Sequence, residues 1–231
     1  MGQRQAIRDR LTYTLDALVA AILAPRCAAC SSVLDRPTHG PVCDACWAQV
    51  VSAIPPPCES SELGALDRSK SAGPYDGALR QIIQALKYDG RRSLAPRLGT
   101  VLRAAGHDVL IDARCVVPVP LYPWRWMTRG FNQAADLAEC LDLPVVHALW
   151  RTRSTAPQTD LTAGQRRRNV RGAFAVSPLL SARVRKTMLE GHVVVLVDDV
   201  RTTGATLDAC ARALKRTGVS EVRALTLALA E

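Results

Sequence analysis

The sequence predicts an α/β fold, a central parallel sheet with flanking helices, preceded by a small four-cysteine region. Three observations predict it. From about Tyr75 onward, apolar strand-like runs alternate with helical patterns, the signature of βα units. One such run, Val193–Val197, is continuously apolar and too short for a helix, so it reads as a central strand. Ahead of these units, residues 26–60 hold five of the eight cysteines and few long apolar runs.

Taken in order, residues 1–25 read as a short amphipathic helix. Leu11, Leu15, Leu18, Val19 and Ile22 share one helical face, and Pro25 ends it. Asp16 interrupts the apolar run and no A-x-A site precedes a hydrophilic start, which argues against a signal peptide. No apolar stretch reaches 18 residues, so no membrane span is expected and a cytoplasmic protein is. Residues 26–60 form the cysteine region, 61–74 a linker carrying Ser69, Ser71 and Gly73, and 75–231 the large domain.

Within the large domain, Leu79, Ile82, Ile83 and Leu86 make a helical apolar face. Cys115–Val119 is a β-branched run closed by prolines, a buried strand. Phe131–Leu141 reads as a helix beginning near Asn132, and Ala205–Arg216 as a helix ended by Gly218. Val222–Leu229 is a last strand. Arg151–Arg171 is polar, arginine-rich and holds Pro157 and Gly164; a connection this long usually marks function or mobility.

The chain has 231 residues, enough to bury a core without disulfide staples. Its 48% hydrophobic and 22% charged composition excludes wholesale disorder, collagen-like repeats and a coiled coil. Aromatics are 4%, which supplies a base-stacking surface poorly. The net charge is +9, and 26 of the 30 basic residues are arginine. The planar guanidinium suits phosphate, so nucleic acid, nucleotide or pyrophosphate is a plausible partner; arginine-favouring codons explain the total equally well.

Cys27-Ala-Ala-Cys30 and Cys43-Asp-Ala-Cys46 are two C-x-x-C knuckles separated by twelve residues. Each knuckle turns two sulfurs toward one point, and four soft ligands suit structural zinc. Metal would tie together a segment too poor in apolar residues to fold alone. Disulfides are the alternative, disfavoured because nothing marks the chain as exported. A redox C-x-x-C fits less well, since neither knuckle follows a strand and opens a helix. Cys58, Cys115, Cys140 and Cys210 read as unpaired thiols.

The sharpest motif runs from Val194 through Asp198, Asp199, Thr202, Thr203, Gly204 and Ala205 to Thr206. A buried strand delivers two carboxylates at its carboxyl end, where ligands bind in open parallel sheets. A loop of small hydroxyl residues and a helix start follow, and free N–H groups with the helix dipole attract phosphate there. Carboxylates repel phosphate but accept hydrogen bonds from vicinal hydroxyls. Phosphate at one end and a diol at the other describe a ribose 5-phosphate. A Walker A loop would need a lysine that is absent, and an N-cap threonine alone would leave the acid pair unexplained.

This run resembles the phosphoribosyl-diphosphate (PRPP) motif of type I phosphoribosyltransferases. The likeness extends to the ComF/ComFC group of competence-associated proteins, through the two knuckles, Tyr75–Arg80 with Leu86–Tyr88, Pro118–Pro120, Arg129-Gly-Phe-Asn-Gln133, Gln158 to Leu161, Arg167–Asn169 and the diacid loop. Where relatives often carry a further C-x-x-C pair, this chain has Cys58 and Ser61. The resemblance implies a type I phosphoribosyltransferase fold and Mg²⁺-dependent transfer from PRPP to an acceptor that no motif names. It implies that Asp198 and Asp199 hold the ribose hydroxyls and that Thr202 to Thr206 cradle the 5-phosphate. Pro120 to Gly130 would form the diphosphate loop with Arg129 as a contact. Thr155–Asn169 would be a lid whose Arg166, Arg167 and Arg168 close over the anion. A non-catalytic PRPP or nucleotide sensor in DNA uptake, with single-stranded DNA or a competence-machinery protein as partner, is the other reading the resemblance implies.

Overall fold

The computed structural model describes residues 2–54, 64–152 and 172–230. They fall into two compact units, Met1–Ala53 with Asp76–Leu94, and Ile54–Tyr75 with Ala95–Glu231.

In the first unit, α1 (Gly2–Leu23) is the expected N-terminal helix. Its orientation is not the one the apolar pattern suggests. Leu15, Leu18 and Ile22 are exposed, whereas Asp16 is 3% exposed and accepts the Thr38 N–H at 2.8 Å. The reason is local. The neighbouring 3-10 turn Pro37–His39 offers an unpaired backbone donor, and a carboxylate satisfies it where a leucine cannot. That N–H also holds the Asp16 carboxyl below its ordinary pKa. α2 (Asp44–Ser52) starts at the second knuckle, with Cys43 as its N-cap residue, and buries Cys46, Trp47 and Val50. It packs against α3 (Gly77–Tyr88), whose Leu79, Ile82, Ile83 and Leu86 are buried as the pattern predicts. Thus α3 groups with the cysteine region, although it lies inside the segment 75–231 that the sequence assigns to the large domain.

The second unit is built on a parallel four-stranded sheet in the order β1-β6-β5-β2. β1 is Arg68–Pro74, β2 Ala113–Pro118, β5 Val193–Arg201 and β6 Glu221–Leu229. β1 falls in the stretch expected to be a linker. Its sequence lacks strand propensity, but an edge strand needs only backbone pairing. It gains the ladder to β6 and a 2.7 Å hydrogen bond between the Ser71 and Thr226 hydroxyls. β5 sits between β6 and β2, and its Val194, Val195, Leu196 and Val197 are wholly buried, which is why that run carries no polar residue. β3 (Leu149–Arg151) and β4 (Phe174–Val176) make a small antiparallel pair.

Helices cover both faces of the sheet. α4 (Ala95–Ala105), the short α5 (His107–Leu110) and α7 (Gln133–Ala138) lie on one side. α6 (Pro123–Arg129) caps the loop after β2. α8 (Ala205–Lys215) lies on the other side, where Leu207, Cys210, Ala211 and Leu214 pack with Val194, Leu196, Val222 and Ala224. This is the α/β fold with flanking helices that the sequence predicts. Among the described residues, no helix is long and apolar enough to cross a membrane.

Candidate functional site

The four knuckle sulfurs, of Cys27, Cys30, Cys43 and Cys46, lie within 4.8 Å of one another. Cys30 Sγ and Cys43 Sγ are 3.8 Å apart. A tetrahedral centre with metal–sulfur bonds of about 2.3 Å requires sulfurs about 3.8 Å apart, so the donor set fits zinc. The same spacing is far beyond a disulfide bond, and all four thiols are free. The surroundings favour thiolate at two of them. The Ser32 hydroxyl and backbone N–H bring Cys30 down to about 6. At Cys27 burial acts upward, but backbone N–H groups, including those of Cys43 and Ala29, outweigh it and lower the pKa. Cys46 is pushed up by burial. Four cysteine ligands would leave no open position on a bound metal, the arrangement of structural rather than catalytic zinc sites. Of the scattered cysteines, Cys115 and Cys210 are buried and Cys140 is partly buried. Burial raises all three thiols, Cys115 to about 11. Cys58 lies outside the described residues.

The second candidate site is at the carboxyl end of the sheet. β5 does not stop before the acid pair: the strand runs through Asp198 and Asp199 to Arg201. Alternation along the strand therefore sends the two carboxylates to opposite faces. Asp198 emerges on the α8 side and is partly exposed. Asp199 emerges on the α7 side, is 4% exposed, and accepts the Gln133 Nε2 hydrogen at 2.6 Å.

Thr202, Thr203 and Gly204 then form a tight turn into α8. Gly204 has φ +72°, a left-handed conformation that glycine adopts without penalty. The first intrahelical bond of α8 runs from the Asp208 N–H to the Gly204 carbonyl. The N–H groups of Ala205, Thr206 and Leu207 therefore precede the helical ladder. The Ala205 N–H reaches Thr203 Oγ1 at 3.5 Å, a long contact. Thr202 is exposed, and Thr203 and Thr206 are half-buried. The turn has the geometry of an anion cradle.

β2, the neighbour of β5, ends at the same edge. The Val119 N–H donates to the Val197 carbonyl, and the Val119 carbonyl accepts from Asn132 Nδ2. The intervening loop holds α6, which ends in Gly130 with φ +75°. Asn132 then caps α7 by accepting the Ala134 N–H. This folding explains the run from Arg129 to Gln133. The turn brings Arg129 back over the start of α7, where its Nη1 donates to Gln133 Oε1 at 3.1 Å. The sequence singled out Arg129 but gave Gln133 no role. The clue was a glutamine at the first position of a short helix whose other residues, Asp136 apart, are apolar. α6 also exposes Trp124 at 65%, Trp126 at 57% and Met127 at 71%. Two of the four tryptophans thus cluster at this edge, a concentration that an overall aromatic content of 4% conceals. Arg166, Arg167 and Arg168 of the expected lid lie outside the described residues.

A parallel sheet with its acid pair and helix start at one edge defines a phosphoribosyltransferase-type domain, and comparison agrees. The phosphoribosyl transferase domain family matches residues 127–230. Competence protein F of Haemophilus influenzae is 34% identical over 175 residues, 71% of this chain and 73% of that protein. Competence protein ComFC of Bacillus subtilis is 30% identical over 212 residues, 87% and 82% of the two chains. The DNA utilization protein YhgH of Escherichia coli K12 is 33% identical over 167 residues, 68% and 69%. A solved structure of the allosteric regulatory enzyme of purine biosynthesis is 24% identical with a TM-score of 0.37, covering 58% of this chain and 25% of that one. The chain belongs to the ComF/ComFC family.

Proposed function

We propose that the chain binds PRPP at the carboxyl end of β5 and β2 and transfers its phosphoribosyl group to an acceptor. The turn from Asp198 to Thr206 is the observation that carries this reading: acid, hydroxyl loop, left-handed glycine and helix start in immediate succession. The N–H groups at Ala205 to Leu207, with the hydroxyls of Thr202, Thr203 and Thr206, hold the 5-phosphate. Asp198 accepts a ribose hydroxyl, and Asp199 takes the second once Gln133 releases it. Arg129, with Arg167 from the connection after β3, holds the diphosphate. Transfer breaks the C1–O bond through an oxocarbenium-like state, so stabilising the leaving diphosphate and excluding water are the main demands on the protein. Mg²⁺ bound to the diphosphate would supply charge neutralisation there. Zinc held by Cys27, Cys30, Cys43 and Cys46 would tie together the segment from Cys27 to Cys46 and take no part in the reaction.

The test is calorimetric binding of PRPP with Mg²⁺ to the full chain and to Asp198→Asn, followed by diphosphate release with a panel of nucleobases. Saturable binding that the variant loses supports the site. Absence of binding to the wild-type chain refutes it.

A second reading is favoured by the exposed Trp124, Trp126 and Met127 beside Arg129. It is a non-catalytic PRPP or nucleotide module that takes single-stranded DNA during DNA uptake, its bases stacking on α6. The names of the relatives, competence and DNA utilization proteins, point the same way. Tryptophan fluorescence quenching by an oligonucleotide, with a steep dependence on salt, supports this reading. PRPP turnover with no effect of oligonucleotide removes it.

A further inference from the structure

Arg129, Gln133 and Asp199 form one line of hydrogen bonds. The guanidinium donates to Gln133 Oε1 at 3.1 Å, and Gln133 Nε2 donates to Asp199 Oδ2 at 2.6 Å. The orientation of the amide is unambiguous. Turned over, it would set its carbonyl oxygen against a carboxylate and its NH₂ against a guanidinium. Gln133 is 4% exposed, so both contacts are made where an unmatched dipole is costly.

The line joins the loop after β2 to the end of β5. Arg129 ends the helix in that loop, and Asp199 stands near the end of the strand. Under the proposed function these two segments hold different parts of one ligand, the diphosphate and the ribose diol. Gln133 also lies along Asp199 Oδ2, so a sugar hydroxyl cannot use that direction while the amide occupies it.

We propose that Gln133 is a positioning residue that couples the two halves of the site. An anion that draws the Arg129 guanidinium removes the donor from Gln133 Oε1. The amide is then free to turn, and Asp199 Oδ2 passes from Gln133 to a ribose hydroxyl. Only hydrogen bonds are exchanged. The inference rests on the PRPP reading and adds an order to it: diphosphate occupancy opens the diol site. By linkage the coupling is reciprocal, so ribose occupancy tightens diphosphate binding by the same factor.

The experiment measures the affinity of ribose 5-phosphate for the full chain, with and without saturating inorganic diphosphate and Mg²⁺. The ratio of the two dissociation constants is the coupling factor. In Gln133→Met, of similar length but without the dipole, the factor is expected to fall about fivefold or more relative to wild type, the lower range of measured couplings. Equal factors in the two proteins, both still binding both ligands, assign Gln133 a purely structural role and overturn the inference. Wild-type protein that binds diphosphate but not ribose 5-phosphate or PRPP overturns the site reading itself, and the coupling with it. A second measurement needs no variant. The Gln133 side-chain NH₂ resonance of ¹⁵N-labelled wild-type protein is expected to shift on adding Mg²⁺ and diphosphate alone. A resonance that stays in place while the Arg129 Nε signal moves refutes the relay.

Discussion

Gly99 is where α4 meets the end of α7, and adding one methyl group there tests how the site is held. A Cβ on Gly99 would lie 2.2 Å from Cys140 Cβ, 3.2 Å from its Sγ and 3.5 Å from its Cα. Carbon atoms pack at about 3.5–4 Å, so the two segments must part by roughly 1.3 Å or more. No flexible side-chain end can absorb this, because the nearest atom is attached directly to the backbone. Overpacking of this kind costs about 1–3 kcal/mol, and the severity of the contact puts Gly99→Ala near the upper end. Removing glycine from a helix interior returns about 1 kcal/mol. The net is a loss of about 2 kcal/mol, a fall in Tm of roughly 4–8 °C for a chain of this size. Because α7 begins at Gln133, the same displacement loosens the amide's hold on Asp199, and the dependence of ribose 5-phosphate affinity on diphosphate is expected to shrink along with stability. The assay is thermal unfolding followed by circular dichroism, with ribose 5-phosphate calorimetry on the folded protein in the presence and absence of diphosphate and Mg²⁺. Adding Cys140→Gly removes the opposing Cβ and is expected to recover part of both losses. A Gly99→Ala variant as stable as wild type, or one that Cys140→Gly leaves unimproved, refutes the packing argument.

Three further outcomes follow from the geometry. Purified protein is expected to hold one zinc per chain by metal analysis, and Cys43→Ser to lose it with the helical signal of α2, because the metal closes the segment from Cys27 to Cys46. Gly204→Ala forces an L-residue to φ +72°, which costs about 1–2 kcal/mol in unfolding experiments and weakens phosphate binding by distorting the turn. Arg223 and Arg68 hold the Glu221 carboxyl at about 2, against an ordinary 4.5. A depressed carboxyl stabilises the fold above its unfolded pKa and loses that contribution as pH falls through the folded one. Urea unfolding of wild type and Glu221→Gln is therefore expected to differ above pH 5 and to converge as pH drops from 4.5 toward 2. A difference that persists unchanged to pH 2 contradicts the ion-pair account.

Wherever chemistry lies within a few residues, it was legible in the sequence. Two C-x-x-C pairs bring four sulfurs together because each knuckle is a local turn. A five-residue apolar run can only be a strand buried on both faces, and the glycine after Thr203 marks the left-handed turn into α8. Elements held by tertiary partners were not legible. Arg68–Pro74 has the composition of a loop and becomes a strand because β6 leaves an edge to pair with. The leucines of α1 suggest its buried face, yet the fold buries Asp16, since the donor it meets is a backbone N–H contributed 22 residues later.

The acid pair shows the division most plainly. That two carboxylates stand at a strand end before a phosphate-type loop follows from residue order alone, because strand, turn and helix start are local. Which face each carboxylate takes depends on how far β5 continues, and that is set by pairing with β6 out to Arg201 and Leu229. That Asp199 is held by Gln133, and Gln133 by Arg129, depends on α7 being packed against β5 across 66 residues of chain. Local order determined the chemical groups of this protein; only packing of distant segments decided which of them touch.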